Sequence, residues 1–302
     1  MFTKSEVLDI IELIYFVPAL PLTVYIAYKH GFSREAGWFL LIILSLVRVL
    51  GASTGIAATI SPSTGLIETS YVMSGIGSTL LVAALTGIVN RINNGTGRSP
   101  LSPRQMKLLQ LISLAAVVLS IVGGTDIASS SSNTQASGHT FSKVATILIL
   151  VQFLATAGIA ALVFVSFRYV NAGDKRLFLF ALAAMPFVLV RVIYSICSAF
   201  DYHSSNFSLT STTIAAVVLR ACLGVAMEIV ATTIFIIGGL LAPKMQVPQN
   251  QRDDLTVQQP HYKYETIDTN EISYQLPNIP PPNREQGRYQ TQQSGQLPTA
   301  GL

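Results

Sequence analysis

The sequence predicts an all-α fold, a seven-helix transmembrane bundle. Half of the 302 residues are hydrophobic and only 11% are charged, whereas a soluble domain carries roughly a quarter charged residues. The charged residues fall between long apolar runs, and these runs lack the period-two alternation of a transmembrane β-strand. Because backbone groups in hydrocarbon must be hydrogen-bonded within their own segment, each run is predicted to be a helix.

Seven apolar runs reach the length of about 20 residues that a helix needs to cross the hydrocarbon. They cover residues 7–28, 38–60, 69–89, 108–127, 144–167, 177–200 and 213–241. The first run follows Glu6 and includes Asp9 rather than following a basic segment, so we expect it to remain in the mature protein. The Ser-rich stretch 129–142 is predicted to be a flexible outer loop.

Basic residues predict the orientation of the bundle. They gather in the first, third and fifth connections, and lysine and arginine accumulate on the cytosolic side of membranes. The N-terminus is therefore predicted outside and the C-terminus in the cytosol. The sequon at Asn206 lies in a connection assigned outside, so we expect it to be glycosylated. Tyr25, Tyr28 and Trp38 lie near span ends, where we expect them to act as interfacial anchors.

The chain is predicted to divide into a transmembrane domain, residues 1–243, and a Gln/Pro-rich cytosolic tail, residues 244–302. The composition of the tail cannot bury a core, which predicts disorder. We expect the lipid bilayer as the main partner of the chain and a cytosolic protein as a candidate partner of the tail. Nucleic acid is not expected, because the positive-inside rule accounts for the placement of the basic residues.

Five ionisable residues lie well inside the spans, where each costs about 2.5–3.5 kcal/mol on insertion scales. Counting along the helices places two of them near the midplane and three in the outer half. They are candidates for one buried polar cluster, together with a tyrosine one turn from an arginine: Glu12, Arg48, Arg191, Tyr194, Arg220 and Glu228. Asp9 lies nearer a span end and is expected to reach interfacial water.

Three interpretations of this cluster stay open. The charges pair with one another and fix helix packing, or they line a water-accessible site for a small anionic or polar ligand, or some arginines extend to lipid headgroups. Three arginines against two glutamates leave one positive charge, unless a further acid or an anionic ligand joins them.

No cofactor or metal is predicted. The histidines, including His30, are assigned to loops or the tail, which argues against haem and zinc sites in the spans. The seventh span has no lysine to attach retinal, and two cysteines, Cys197 and Cys222, cannot form a tetrahedral metal site. No catalytic motif is present, so we do not expect an enzyme.

Short segments of the second and sixth spans carry a family resemblance. Leu46-Val47-Arg48, together with the run from Pro186 through Arg191 to Tyr194, resembles an uncharacterised family of fungal seven-helix integral membrane proteins, described as a domain of unknown function. The resemblance covers about residues 7–244. It implies a seven-helix fold and carries no activity, ligand or site residue.

Three functions follow as hypotheses, in the plasma membrane or an endomembrane. The first is a receptor or sensor with a polar ligand site in the outer half of the bundle. The second is a transporter or lipid translocator. It favours a duplicated architecture as the origin of the recurrence of Leu46-Val47-Arg48-Val49 as Leu189-Val190-Arg191-Val192, whereas chance recurrence of common residue types is the alternative. The third is a structural membrane protein that acts through its tail.

Overall fold

The computed structural model describes residues 4–31, 36–61, 63–95, 103–127, 129, 131–169, 172–201 and 213–242. Within these residues there are seven helices long and apolar enough to cross a membrane, and no strand, which confirms the predicted fold class. The orientation of the bundle stays a prediction, and Asn206 and the tail lie outside the described residues. The helices are α1 Lys4–His30, α2 Ala36–Ile60, α3 Thr64–Gly95, α4 Pro103–Ile127, α5 Ser132–Val165, α6 Ala172–Phe200 and α7 Ile214–Leu241.

Contacts at the helix ends show that the helices alternate in direction. The last residue of α1, His30, is 2.9 Å from the carbonyl oxygen of Gly239 near the end of α7 and 3.2 Å from Arg91 near the end of α3. Arg91 in turn pairs with Asp174 at the start of α6. We call this the predicted inner end, because the basic connections lie there.

The opposite end, which we call the predicted outer end, brings together the ends of α4 and α6 with the start of α5. The amine of Lys143 lies 5.8 Å from the ring centre of Phe200. Gly138 packs so closely on the end of α4 that a Cβ atom there would lie 2.6 Å from the backbone nitrogen of Ile127.

That contact corrects one prediction. The stretch 129–142 is not a flexible loop, since α5 begins at Ser132. Besides the close packing of Gly138, the side-chain amide of Gln135 donates to the carbonyl oxygen of Ile127 at 3.1 Å. Tertiary contact with α4 therefore outweighs the weak helix propensity of this Ser-rich sequence. The resulting helix has 34 residues and is about 50 Å long, well beyond the thickness of the hydrocarbon.

Helix α3 runs through the core and α4 lies at the edge of the bundle. Leu81, Leu85 and Ile88 of α3 are fully buried, whereas α4 turns exposed leucines outward, as a lipid-facing helix does. Gly51 lies at the contact between α2 and α3, where a Cβ atom would be 3.0 Å from the Cβ of Met73. Close approach of these two helices depends on that small residue.

Helix α7 is interrupted by a π-helical segment, Arg220–Ala226, between two α-helical parts. A π segment has more residues per turn than an α-helix, so it rotates the side chains before it relative to those after it. The segment therefore sets the direction in which Arg220 leaves the helix. Such interruptions occur frequently at functional sites.

Candidate functional site

Glu228 of α7 lies at the centre of the buried charge cluster and is only 1% exposed. The Nε and Nη2 atoms of Arg48 on α2 donate to its two carboxylate oxygens. The Nε atom of Arg191 on α6 donates to Oε2 at 3.3 Å. Because a buried charge is stable only when paired and hydrogen-bonded, this carboxylate ties α2 and α6 to α7.

Glu12 supplies the second acid. It is 4% exposed, and its Oε2 atom lies 3.7 Å from Nη1 of Arg48, so Arg48 bridges carboxylates from α1 and α7. The guanidinium of Arg48 lies across Gly77 of α3, where a Cβ atom would overlap it. Two arginines and two glutamates thus balance one another around a glycine that leaves them room.

Contacts on α6 and α3 hold Arg191 in place. Its Nη1 atom donates to the hydroxyl of Ser195 at 3.0 Å, and that hydroxyl lies 3.1 Å from the hydroxyl of Ser78. The central carbon of the guanidinium is 5.6 Å from the ring centre of Tyr194, within cation–π range. Tyr194 therefore belongs to the surroundings of the cluster, as its spacing from Arg191 indicated.

Arg220 stands apart from the other arginines. It is half-buried at the first position of the π segment, and no hydrogen bond or ion pair joins its side chain to another described residue. Two acids interact with it electrostatically, Asp9 and Glu12. Asp9 does not reach interfacial water as expected, because it is 9% exposed and its carboxylate packs against Gly55 of α2.

A cavity of about 400 Å³ opens among the ends of α4, α5 and α6 at the predicted outer end and extends down to Arg48. Its wall includes three arginines, Arg48, Arg191 and Arg220, and one acid, Glu12. Glu228 lies behind the arginines and is not part of the wall. Hydroxyl groups line much of the remainder, among them those of Ser78, Ser120, Ser142, Thr146, Ser195 and Ser198. The cavity is therefore polar and, by its lining charges, positive.

The sequence did not indicate a second polar network in the core, around Gln152 of α5. This side chain is fully buried, and its amide donates to the hydroxyl of Thr86 at 3.2 Å and to that of Ser113. Thr86 lies 2.8 Å from Thr156. These bonds connect α3, α4 and α5. An uncharged amide in the middle of an apolar run was the available signal.

A third polar group closes the predicted inner end around His30. Its Nε2 atom bonds to a carbonyl oxygen, which only accepts, and its Nδ1 atom faces Arg91, which only donates. These two partners favour a neutral imidazole with its proton on Nε2. The ring stacks on Trp38 with 5.4 Å between centres. The assignment of His30 to a loop was wrong, since it is the last residue of α1. Trp38 is only 2% exposed because it packs inside the bundle, and its place at the membrane interface stays a prediction.

Comparison with known proteins identifies a family. A family model described as a domain of unknown function, DUF7702, matches residues 2–245, a range that includes all seven helices. Among curated proteins, none matches the chain.

Proposed function

The chain belongs to the DUF7702 family and is a multi-pass membrane protein, and we propose that it is of receptor or sensor type. In this proposal a small polar ligand enters the cavity from the predicted outer end and binds above the charge cluster. The observation that carries it is a cavity of about 400 Å³ that ends on paired buried charges. Its volume falls in the range of small-ligand sites.

The inner half of the bundle supports a one-sided site rather than an open pore. Below the charge cluster lie fully buried side chains from four helices, Phe16, Leu44, Leu85 and Phe235. Close-packed apolar side chains leave no passage for a polar molecule. A ligand that reaches the cluster from the predicted outer end therefore meets these packed apolar side chains.

The pairing of Glu228 with Arg48 and Arg191 links the cavity to the inner half of the bundle. Arg48 and Arg191 both line the cavity, and both donate to Glu228 behind it. A ligand that accepts hydrogen bonds from either arginine competes with Glu228 for them. Since Glu228 ties α2 and α6 to α7, such competition changes the packing of α7, which runs on to the predicted inner end.

Two glycines with open space at the Cβ position allow a matched test. Gly75 lines the cavity and Gly158 lies exposed on α5, and a Cβ atom would meet nothing within 4 Å at either position. Gly75→Leu fills part of the cavity, whereas Gly158→Leu adds the same side chain elsewhere. Thermal shift of the protein in nanodiscs is measured with panels of carboxylic acids, sugar phosphates and amino acids.

Compounds that stabilise the parent should also stabilise Gly158→Leu and should lose their effect on Gly75→Leu. Stabilisation that survives unchanged in Gly75→Leu would show that binding occurs outside the cavity, and the proposed site would be wrong. The absence of any stabilising compound in the three panels would also count against it.

A transporter is the second candidate, favoured by the two similar segments around Arg48 and Arg191. Both arginines converge on one carboxylate, Glu228, as expected when two repeats build a site at their interface. Protein reconstituted alone into liposomes separates the two candidates. A transporter moves a stabilising compound across the bilayer, whereas a receptor binds it without uptake. The structural hypothesis rests on residues 244–302, outside the described part of the chain.

A further inference from the structure

We infer that the ligand of the cavity carries an acidic group, a carboxylate, phosphate or sulfate, and that Arg220 binds this group. The inference rests on the proposed function and names the chemistry of the ligand. A soluble molecule and a lipid headgroup can both present such a group, and the experiment below separates these two sources.

The charge balance of the cavity favours an acidic ligand. Arg48 and Arg191 are balanced by Glu228 and Glu12 through ion pairs of 3.7 Å or less. Arg220 is the remaining arginine of the wall, and the described residues of the wall include no second acid. Arg220 interacts electrostatically with Asp9 and Glu12, but no ion pair of 4 Å or less joins it to either. A cation without a close ion pair beside a polar cavity is costly in a low-dielectric bundle. An acidic ligand offsets that cost.

The stem of Arg220 lies beside Tyr194 and Gly224 at the wall of the cavity. Gly224 follows it in the π segment, and a Cβ atom there would lie 3.4 Å from the ring of Tyr194 and 3.9 Å from Cγ of Arg220. Tyr194, Gly224 and the stem of Arg220 therefore pack side by side against the cavity. The guanidinium makes no ion pair with another described residue, so its hydrogen-bond donors are available to an acidic ligand.

Asp9 is the residue that gives Arg220 an alternative role. It interacts electrostatically with Arg220 from outside the cavity wall, and no ion pair of 4 Å or less joins the two. If Arg220 served only to balance Asp9, removing its charge would strand a buried carboxylate and weaken the fold. If it binds a ligand, removing its charge relieves an unpaired cation in the empty protein.

The experiment compares Arg220→Gln with Arg191→Gln and with Arg176→Gln, an exposed arginine outside the cavity. Melting temperatures are measured without ligand in maltoside micelles, and again with gluconate, citrate or phosphate replacing chloride at equal ionic strength. Sorbitol, the neutral counterpart of gluconate, is the matched control compound. A parallel series uses phosphatidylcholine nanodiscs with and without phosphatidylglycerol.

Arg191→Gln should melt lower than the parent, and Arg220→Gln should melt as high or higher. An acidic probe should stabilise the parent and Arg176→Gln, with an apparent affinity at least about tenfold weaker in Arg220→Gln, as for loss of one charged hydrogen bond. An effect of soluble anions in micelles indicates a soluble ligand. An effect of phosphatidylglycerol alone, also lost in Arg220→Gln, indicates a headgroup.

Three results would overturn the inference. If Arg220→Gln melts at as low a temperature as Arg191→Gln, the role of Arg220 is to neutralise Asp9. If sorbitol and gluconate stabilise the protein equally, and equally in Arg220→Gln, the ligand needs no acidic group. The cavity would then still be a ligand site as proposed. If no anion and no acidic lipid changes the melting temperature, the ligand is not acidic. A neutral compound that stabilises the parent but not Gly75→Leu would still support the cavity as a ligand site.

Discussion

Glu228→Gln tests whether one carboxylate holds three helices together. The substitution keeps the size of the side chain and removes the charge that Arg48 and Arg191 share. Glu12 remains 3.7 Å from Arg48 and continues to balance it. Arg191 has no such second acid among its described ion pairs, so the variant strands its guanidinium in a 6% exposed position.

Removing one partner of a buried ion pair costs about 3–5 kcal/mol. For a large domain each kcal/mol lowers the melting temperature by about 2–4 °C, which predicts a loss of at least about 6 °C. The double variant Glu228→Gln/Arg191→Gln removes one charge of each sign and leaves the pair of Arg48 with Glu12. Its loss should therefore be smaller than the sum of the single losses, by about 0.5–3 kcal/mol.

The assay is thermal unfolding in nanodiscs followed by tryptophan fluorescence. Trp38 is the single tryptophan of the chain, and it is buried against His30, nearly three helical turns from Arg48 along α2. Asp201→Asn, at an exposed position after α6, is the control for loss of an acid. If Glu228→Gln melts within about 2 °C of the parent, or if the double variant shows plain additivity, the three-helix tie is refuted.

Three further predictions concern other parts of the bundle. Gly77→Ala should cost about 1–3 kcal/mol, because its methyl group overlaps the guanidinium of Arg48, and the melting temperature measures this. Asp174→Asn should lower the free energy of unfolding by about 1–3 kcal/mol, because Asp174 pairs with Arg91 at the predicted inner end. It should also shift the emission of Trp38, because Arg91 contacts His30, which stacks on that ring. Asn206→Gln should abolish a glycosidase-sensitive mobility shift in protein made in the secretory pathway, as the predicted orientation requires.

The controls are the same type of substitution at positions that lack the contact being tested. Gly65→Ala, where a Cβ atom would meet nothing within 4 Å, should leave the melting temperature of the parent unchanged or raised. A Gly77→Ala variant as stable as Gly65→Ala contradicts the close fit of Arg48. Unchanged tryptophan emission in Asp174→Asn contradicts the link from Arg91 to Trp38. A second sequon, Asn94-Gly95-Thr96, lies in the third connection, which is assigned to the cytosol, and we expect it to be unmodified. A mobility shift that Asn94→Gln removes would therefore contradict the orientation.

The sequence predicted the helices well because their length and apolarity are properties of each segment alone. It also placed Arg48 and Glu228 at matching depth, because depth follows from counting residues. It did not identify which arginine pairs with which acid, since that depends on the rotation of each helix. The π segment changes that rotation for Arg220. No residue type in Arg220–Ala226 predicts a π-helical segment.

Elements that depend on neighbouring helices were missed for the same physical reason. The sequence of the stretch that follows Ser132 favours a loop. It forms a helix because Gln135 and Gly138 pack against the end of α4. His30 ends an apolar run, and its burial follows from contacts with α2, α3 and α7 that are distant in sequence. The role of Gln152 likewise depends on hydroxyls from two other helices.

The positions of the charged partners along the chain have a consequence for biogenesis. Glu12 is made before Arg48, so α1 and α2 can leave the translocon as a hairpin that already contains a neutralising pair. Arg191 is made 37 residues before Glu228, its carboxylate partner. The sixth helix must therefore wait at the translocon for the seventh, and a nascent chain stopped between them should release α6 into lipid poorly.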